Sequence, residues 1–98
     1  MWIGWIEVDF LLGDVHSLKE KRSVVRPVVA EMRRRFAVSA AEVDHLDLHR
    51  RTTLGASVVA PDGAHVTEIL DGIERHAASR PELQLLSVRR RLVRADEI

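Results

Sequence analysis

Hydrophobic and polar positions alternate along the first dozen residues. Trp2, Ile6, Val8, Phe10 and Leu12 share one parity, and Ile3, Trp5, Glu7, Asp9 and Leu11 share the other. A period of two with one apolar face predicts a strand laid on a core. Gly13-Asp14 ends it. Beyond residue 16 the period changes. Leu18, Val25, Val28, Val29, Met32 and Phe36 recur at helical spacing, so residues 17–36 read as an amphipathic helix. Ser17 is its expected cap, with Glu20 placed three residues later to reach back toward the cap. Pro27 lies inside this segment and removes a backbone donor. It predicts a kink or a break near Arg22–Ser23, or a short first helix followed by a longer one from Val25.

The remaining pattern is less regular. Residues 37–48 hold a second strand, best around Ala41–Leu48, whose parity is mixed because Val43 opposes Leu46 and Leu48; a bulge would reconcile them. Residues 53–60 are small and β-branched and predict a third strand, joined to the second by a hairpin loop at His49–Thr52. Pro61-Asp62-Gly63 is a turn, with Asp62 the expected cap of a second helix whose stripe is Val66, Ile69, Leu70, Ile73 and Ala77. Ser79-Arg80-Pro81 ends that helix, and residues 83–94 form a last strand. The order βαββαβ contains two right-handed crossovers, which place both helices on one face of a four-stranded antiparallel sheet. The expectation is an α+β ferredoxin-like sandwich, one domain over residues 1–98 with a loose tail at 95–98. Its predicted core is Ile6, Val8, Phe10, Val28, Met32, Val58, Ile69, Leu70 and Ile73. The other sheet face is left bare.

Composition narrows the chemistry. There is no cysteine, which removes disulfides and thiolate metal sites. The opening Met1-Trp2-Ile3-Gly4-Trp5 lacks the basic region and long apolar run of a signal peptide, and no stretch approaches the ~18 uncharged apolar residues of a membrane span. A cytoplasmic protein is expected. Arginine outnumbers lysine 13 to 2, and asparagine and tyrosine are absent. Loss of thermolabile amides favours a heat-adapted source, although a GC-rich genome would also enrich arginine. Net charge is zero, yet it is segregated. Leu18–Phe36 carries seven cations against Glu20 and Glu31, a balance of 7 − 2 = +5. Residues 42–47 are acidic and 89–94 basic.

The stretches His16-Ser17-Leu18-Lys19-Glu20-Lys21-Arg22 and Val38-Ser39-Ala40-Ala41-Glu42-Val43-Asp44-His45-Leu46-Asp47-Leu48, together with Leu54-Gly55 and the Asp62–His65 turn, resemble the YlxP-like family of small bacterial proteins. The resemblance runs from about Trp2 to the end of the second helix. It implies a small cytoplasmic protein often encoded beside translation-initiation and ribosome-maturation genes, and from that a role with RNA or the ribosome. The family pattern often has an aromatic residue where this chain has His49, so any special role for His49 would be private to this chain.

Four groups of residues could carry function. Lys19, Lys21, Arg22 and Arg26 cluster near the start of the first helix, where backbone N–H groups also favour anions, and could contact phosphate. The plainer reading is a solvated helix face. Arg33-Arg34-Arg35 suits a helix C-terminus, and Arg89-Arg90-Arg91 suits an edge strand, with Arg89 and Arg91 on one face and Arg90 on the other. Trp5, Glu7 and Asp9 line the bare face; carboxylates beside the indole repel phosphate, so a subunit interface is preferred there to base stacking. His45, Asp47 and His49, at alternate positions of a strand, would share a face and could hold a metal, though no fourth ligand is identifiable. No aromatic platform on the third strand, no P-loop and no nucleophile elbow is present, and an acylphosphatase would need an asparagine. The expectation is a non-catalytic, cofactor-free binding protein that meets RNA or the ribosome through its basic first helix. The alternatives are a homodimeric protein–protein adaptor and, behind it, a metal-dependent hydrolase built on His45, Asp47 and His49.

Overall fold

The computed structural model describes residues 1–98. The elements run β1 (Trp2–Leu12), α1 (Leu18–Phe36), β2 (Ser39–Asp44), β3 (Arg51–Ala60), α2 (Gly63–Ala78) and β4 (Leu83–Arg94). The sheet order is β2-β3-β1-β4 and every neighbouring pair is antiparallel. This is the ferredoxin-like α+β sandwich that the βαββαβ pattern predicts. The apolar parity of β1 faces the helices: Ile6, Val8 and Phe10 are fully buried. They meet Val25, Val28 and Met32 of α1 and Val66, Leu70 and Ile73 of α2 in one core. Ile69, expected inside, is only half-buried at its margin.

Local chemistry sets the element ends. The Glu20 N–H donates to Ser17 Oγ at 3.1 Å and the Glu20 carboxylate accepts from the His16 N–H at 3.2 Å, which closes the start of α1 reciprocally. At the other end Ala37 takes a left-handed φ of 52° and donates to the Arg33 carbonyl. Asp62 caps α2 by accepting from the His65 N–H at 2.7 Å. Two glycines let layers approach. A Cβ on Gly4 would stand 2.3 Å from Val66 Cγ1, and one on Gly72 would stand 2.9 Å from the Phe36 ring.

Four local expectations are corrected. α1 is one uninterrupted helix across Pro27. Pro27 is exposed, and Val24, Val25, Val28 and Val29 on either side hold the same face to the core, so packing outweighs one missing donor. β2 stops at Asp44 rather than at Leu48, because His45 takes a left-handed φ of 59° and its N–H donates to the Asp44 carboxylate. The connection to β3 is therefore residues 45–50. The register of β2 does shift between Glu42 and Asp44, which places the anticipated bulge at Val43. The tail beyond Arg94 is also bound: Ala95–Glu97 forms a turn of 3-10 helix, the Ala95 N–H donates to the Met1 carbonyl, and Arg94 pairs with Asp96 and Glu97.

Candidate functional site

The two segments that carry the family resemblance meet in space. Lys21 lies four and seven residues before Val25 and Val28, so it extends the buried stripe of α1 toward the helix start. Its side chain is 2% exposed. Nζ stands 2.8 Å from Glu42 Oε2 and donates to the His45 carbonyl at 2.6 Å. Thr52 Oγ1 donates to the same Glu42 oxygen at 2.6 Å. A lysine from α1 thus holds a carboxylate of β2 and the backbone of the β2–β3 turn together beneath the sheet end. Lys21 was expected to face phosphate; its burial and its full set of partners remove it from that surface. The apolar stripe held the signal, since extrapolating it one turn back passes through Lys21.

Lys19, Arg22 and Arg26 sit on the opposite side of α1, at spacings of three and four, and are exposed. Arg34 continues the stripe two turns later. None of these four makes an ion pair within the chain. Most other cations are spent: Arg80 on Glu31 and Glu82, Arg89 on Glu7, Arg90 on Asp71, and Arg94 on Asp96 and Glu97. Arg33 donates twice to the Ala40 carbonyl, and Arg35 lies over the Phe36 ring and against His76.

His45, Asp47 and His49 do not share the strand face on which the metal-dependent alternative rested. They lie in the turn after β2, not on a strand, and the left-handed His45 breaks the alternation that would have aligned them. No group of three acidic or imidazole side chains in the chain is placed to hold a metal.

On the open face, Trp5 is 37% exposed between Ser57 of β3 and Arg91 of β4. Glu7 pairs with Arg89 at 3.4 Å. Asp9 accepts from the hydroxyls of Thr53 and of Ser87 (2.7 Å for Ser87), with His45 Nε2 at 4.0 Å. The hydrogen bond from Thr53, then that from Ser87, holds the Asp9 carboxyl below its ordinary value. Both acids are satisfied inside the chain, which leaves the indole in a less repulsive setting than its sequence neighbours suggest. Beside Trp5 runs a groove of about 420 Å³ lined by Trp5, Glu7, Ala41, Val43, Gly55 and Ser57 among others. Val43 lies over Gly55, close enough that a Cβ there would stand 3.0 Å from Val43 Cγ1. Sequence reasoning missed this groove because it is assembled by cross-strand register, and the bulge at Val43 is what shapes one wall.

Known proteins resemble this chain in sequence and in fold. A family model described as "Protein of unknown function (DUF503)" matches residues 3–90. The chain is 29% identical over 82 residues to "Uncharacterized protein YlxP" of Bacillus subtilis (strain 168), covering 84% of this chain and 89% of that protein. Among solved structures it resembles a mutant of SnoaB, a cofactor-independent oxygenase from Streptomyces nogalater, at TM-score 0.49 and 16% identity, covering 96% of this chain and 92% of that one. It also resembles protein SO0527 from Shewanella oneidensis at TM-score 0.49 and 22% identity, covering 94% of this chain and 88% of that one.

Proposed function

Because this chain belongs to the DUF503 family of proteins of unknown function, we propose from its own geometry that it is a non-catalytic binding module whose outer α1 face meets the phosphates of RNA. The observation that carries this reading is the stripe of unpaired, solvent-facing cations Lys19, Arg22, Arg26 and Arg34 on a chain whose net charge is zero. On a neutral protein such a stripe is a local field with no internal partner. It reaches from the first turn of α1, where free N–H groups add to the attraction for anions, over roughly 22 Å of helix. The translational setting that the family resemblance implies agrees with an RNA partner. Contacts of this type go to backbone phosphate and read little sequence.

Binding of a labelled single-stranded RNA and co-sedimentation with ribosomal particles both test the reading. Lys19→Glu/Arg22→Glu/Arg26→Glu should weaken RNA binding at least tenfold and lower the salt slope by about one per lost phosphate contact. Lys21 stays unchanged in this variant, since its replacement would act through folding. A charge-reversed chain that still co-sediments with ribosomal particles rejects this face of α1 as the RNA site, and a lysate partner that survives ribonuclease and is lost with the same reversal rejects RNA in favour of an acidic protein.

A further inference from the structure

The helices cover one side of the sheet and nothing covers the other. On that other side Ile3, Trp5, Val43 and Val59 are apolar, Val59 being 61% exposed at a central strand. Water against such a row is costly, and a contiguous apolar patch of this kind marks an interaction surface. The arrangement of the strands limits what can lie on it.

Neighbouring strands are about 4.8 Å apart, so the midline of β2-β3-β1-β4 falls between β3 and β1. A twofold axis in the interface along that line lays β1 over the partner's β3 and β4 over the partner's β2, and the whole face is used. Trp5 shares its register with Ser57, and the groove floored by Ala41, Gly55 and Ser57 lies at that same height, across the midline. The operation that superposes the faces therefore seats each Trp5 over the other copy's groove, and sets Ile3 against the partner's Val59. Knob and hole lie on one chain and are exchanged by the symmetry, as an isologous contact requires. Charge agrees. β4 brings Arg89 and Arg91 to this face, and Arg91 has no carboxylate of its own, while the end of β2 carries exposed Asp44. Across this axis Asp44 stands at the height of the second copy's Ser87, one same-face step from its Arg89, which gives one opposite-charge contact on each side of the axis. The area is sufficient: strands of about ten residues across four positions offer roughly 500–600 Å² per copy, or about 1,000–1,200 Å² in all, the lower bound for a specific interface.

We propose that the open sheet face is covered by a second copy of this chain, in a face-to-face dimer whose twofold axis runs between β3 and β1 and buries Trp5 in the partner's groove.

Sedimentation of the intact chain from about 1 µM to about 100 µM tests this. The wild type should sediment at twice 11.1 kDa. Ala41→Arg, an exposed edge-strand change at the groove floor that meets the second copy's Arg89 across this axis, should shift it to a single chain with an unaltered far-ultraviolet spectrum; should that variant not fold, Ser57→Glu serves in its place. Arg89→Glu should raise the dissociation constant about tenfold, and Asp44→Arg in the same chain should restore it. A wild type that stays a single chain at every concentration leaves the face to a different occupant and overturns the proposal, as does a groove-floor variant that still dimerises. A double variant no tighter than Arg89→Glu alone overturns the placement of the axis.

Discussion

Two buried side chains show how much one residue decides here. Removing Lys21 strands Glu42 beneath the sheet and frees the His45 carbonyl, so Lys21→Met should cost about 2–4 kcal/mol, less than a fully buried pair because Glu42 keeps some solvent. A urea midpoint that falls at constant slope would register it. Sequence reasoning placed Lys21 on the surface because lysines are seldom buried unless paired, and the pairing carboxylate lies on another element. His76 is the second case. It sits 7% exposed by side chain, edge-on to Phe36, with Glu31, Arg35, Arg80 and Glu82 around it. Arg35 donates to Nδ1, which leaves the proton on Nε2, 3.7 Å from Glu31. Burial pushes the imidazole below its ordinary value of 6.5, and Arg35 and Arg80 act in the same direction against Glu31. The unfolded chain therefore takes up a proton first. Stability should be full above pH 6.5, fall as pH drops below it, and level off once the folded imidazole is also charged. His76→Leu should flatten that step in a series of thermal melts across pH 5–8.

At the scale of elements, contact between layers is set by what is missing. Gly4 lets α2 rest directly on β1, and the side chain a methyl would strike, Val66, is itself fully buried and has nowhere to go. Gly4→Ala should destabilise by about 1–3 kcal/mol, and Val66→Ala in the same chain should cost less than the sum of the two changes, because the smaller side chain gives back the space. Thermal melts of the four chains make the cycle. Most elements were legible from period and caps: the alternation of β1, the Ser17 and Asp62 caps, and the stripe of α2 all act within a few residues. What was not legible depends on distant groups. β2 stops at Asp44 where His45 turns left-handed, its carbonyl held by Lys21 of α1, and α1 survives Pro27 because its valines are already held by the sheet. The metal reading of His45, Asp47 and His49 failed for the same reason, since it assumed a strand where a long-range contact builds a turn. The Trp5 face was legible as bare, but not the groove beside it, which exists only once β1, β2 and β3 are in register.

For the molecule as a whole, zero net charge hides a layout in which α1 carries free cations on one side of the sandwich and the paired acids Glu7 and Asp9 lie on the other. The two proposed surfaces therefore do not compete, and a face-to-face pair would hold its two α1 stripes outward, away from each other. The sheet order has one more consequence, for synthesis. β1 is made first, yet both of its neighbours, β3 and β4, come late in the chain. At roughly 5–20 residues per second, on the order of 4–15 s pass between the emergence of Leu12 and of Leu83. Throughout that interval Ile6, Val8 and Phe10 belong to a strand with at least one unpaired edge. The nascent chain is thus most vulnerable to capture by other nascent chains or by chaperones while its best core strand waits for its last partner, and a premature stop anywhere before β4 leaves that strand open for good.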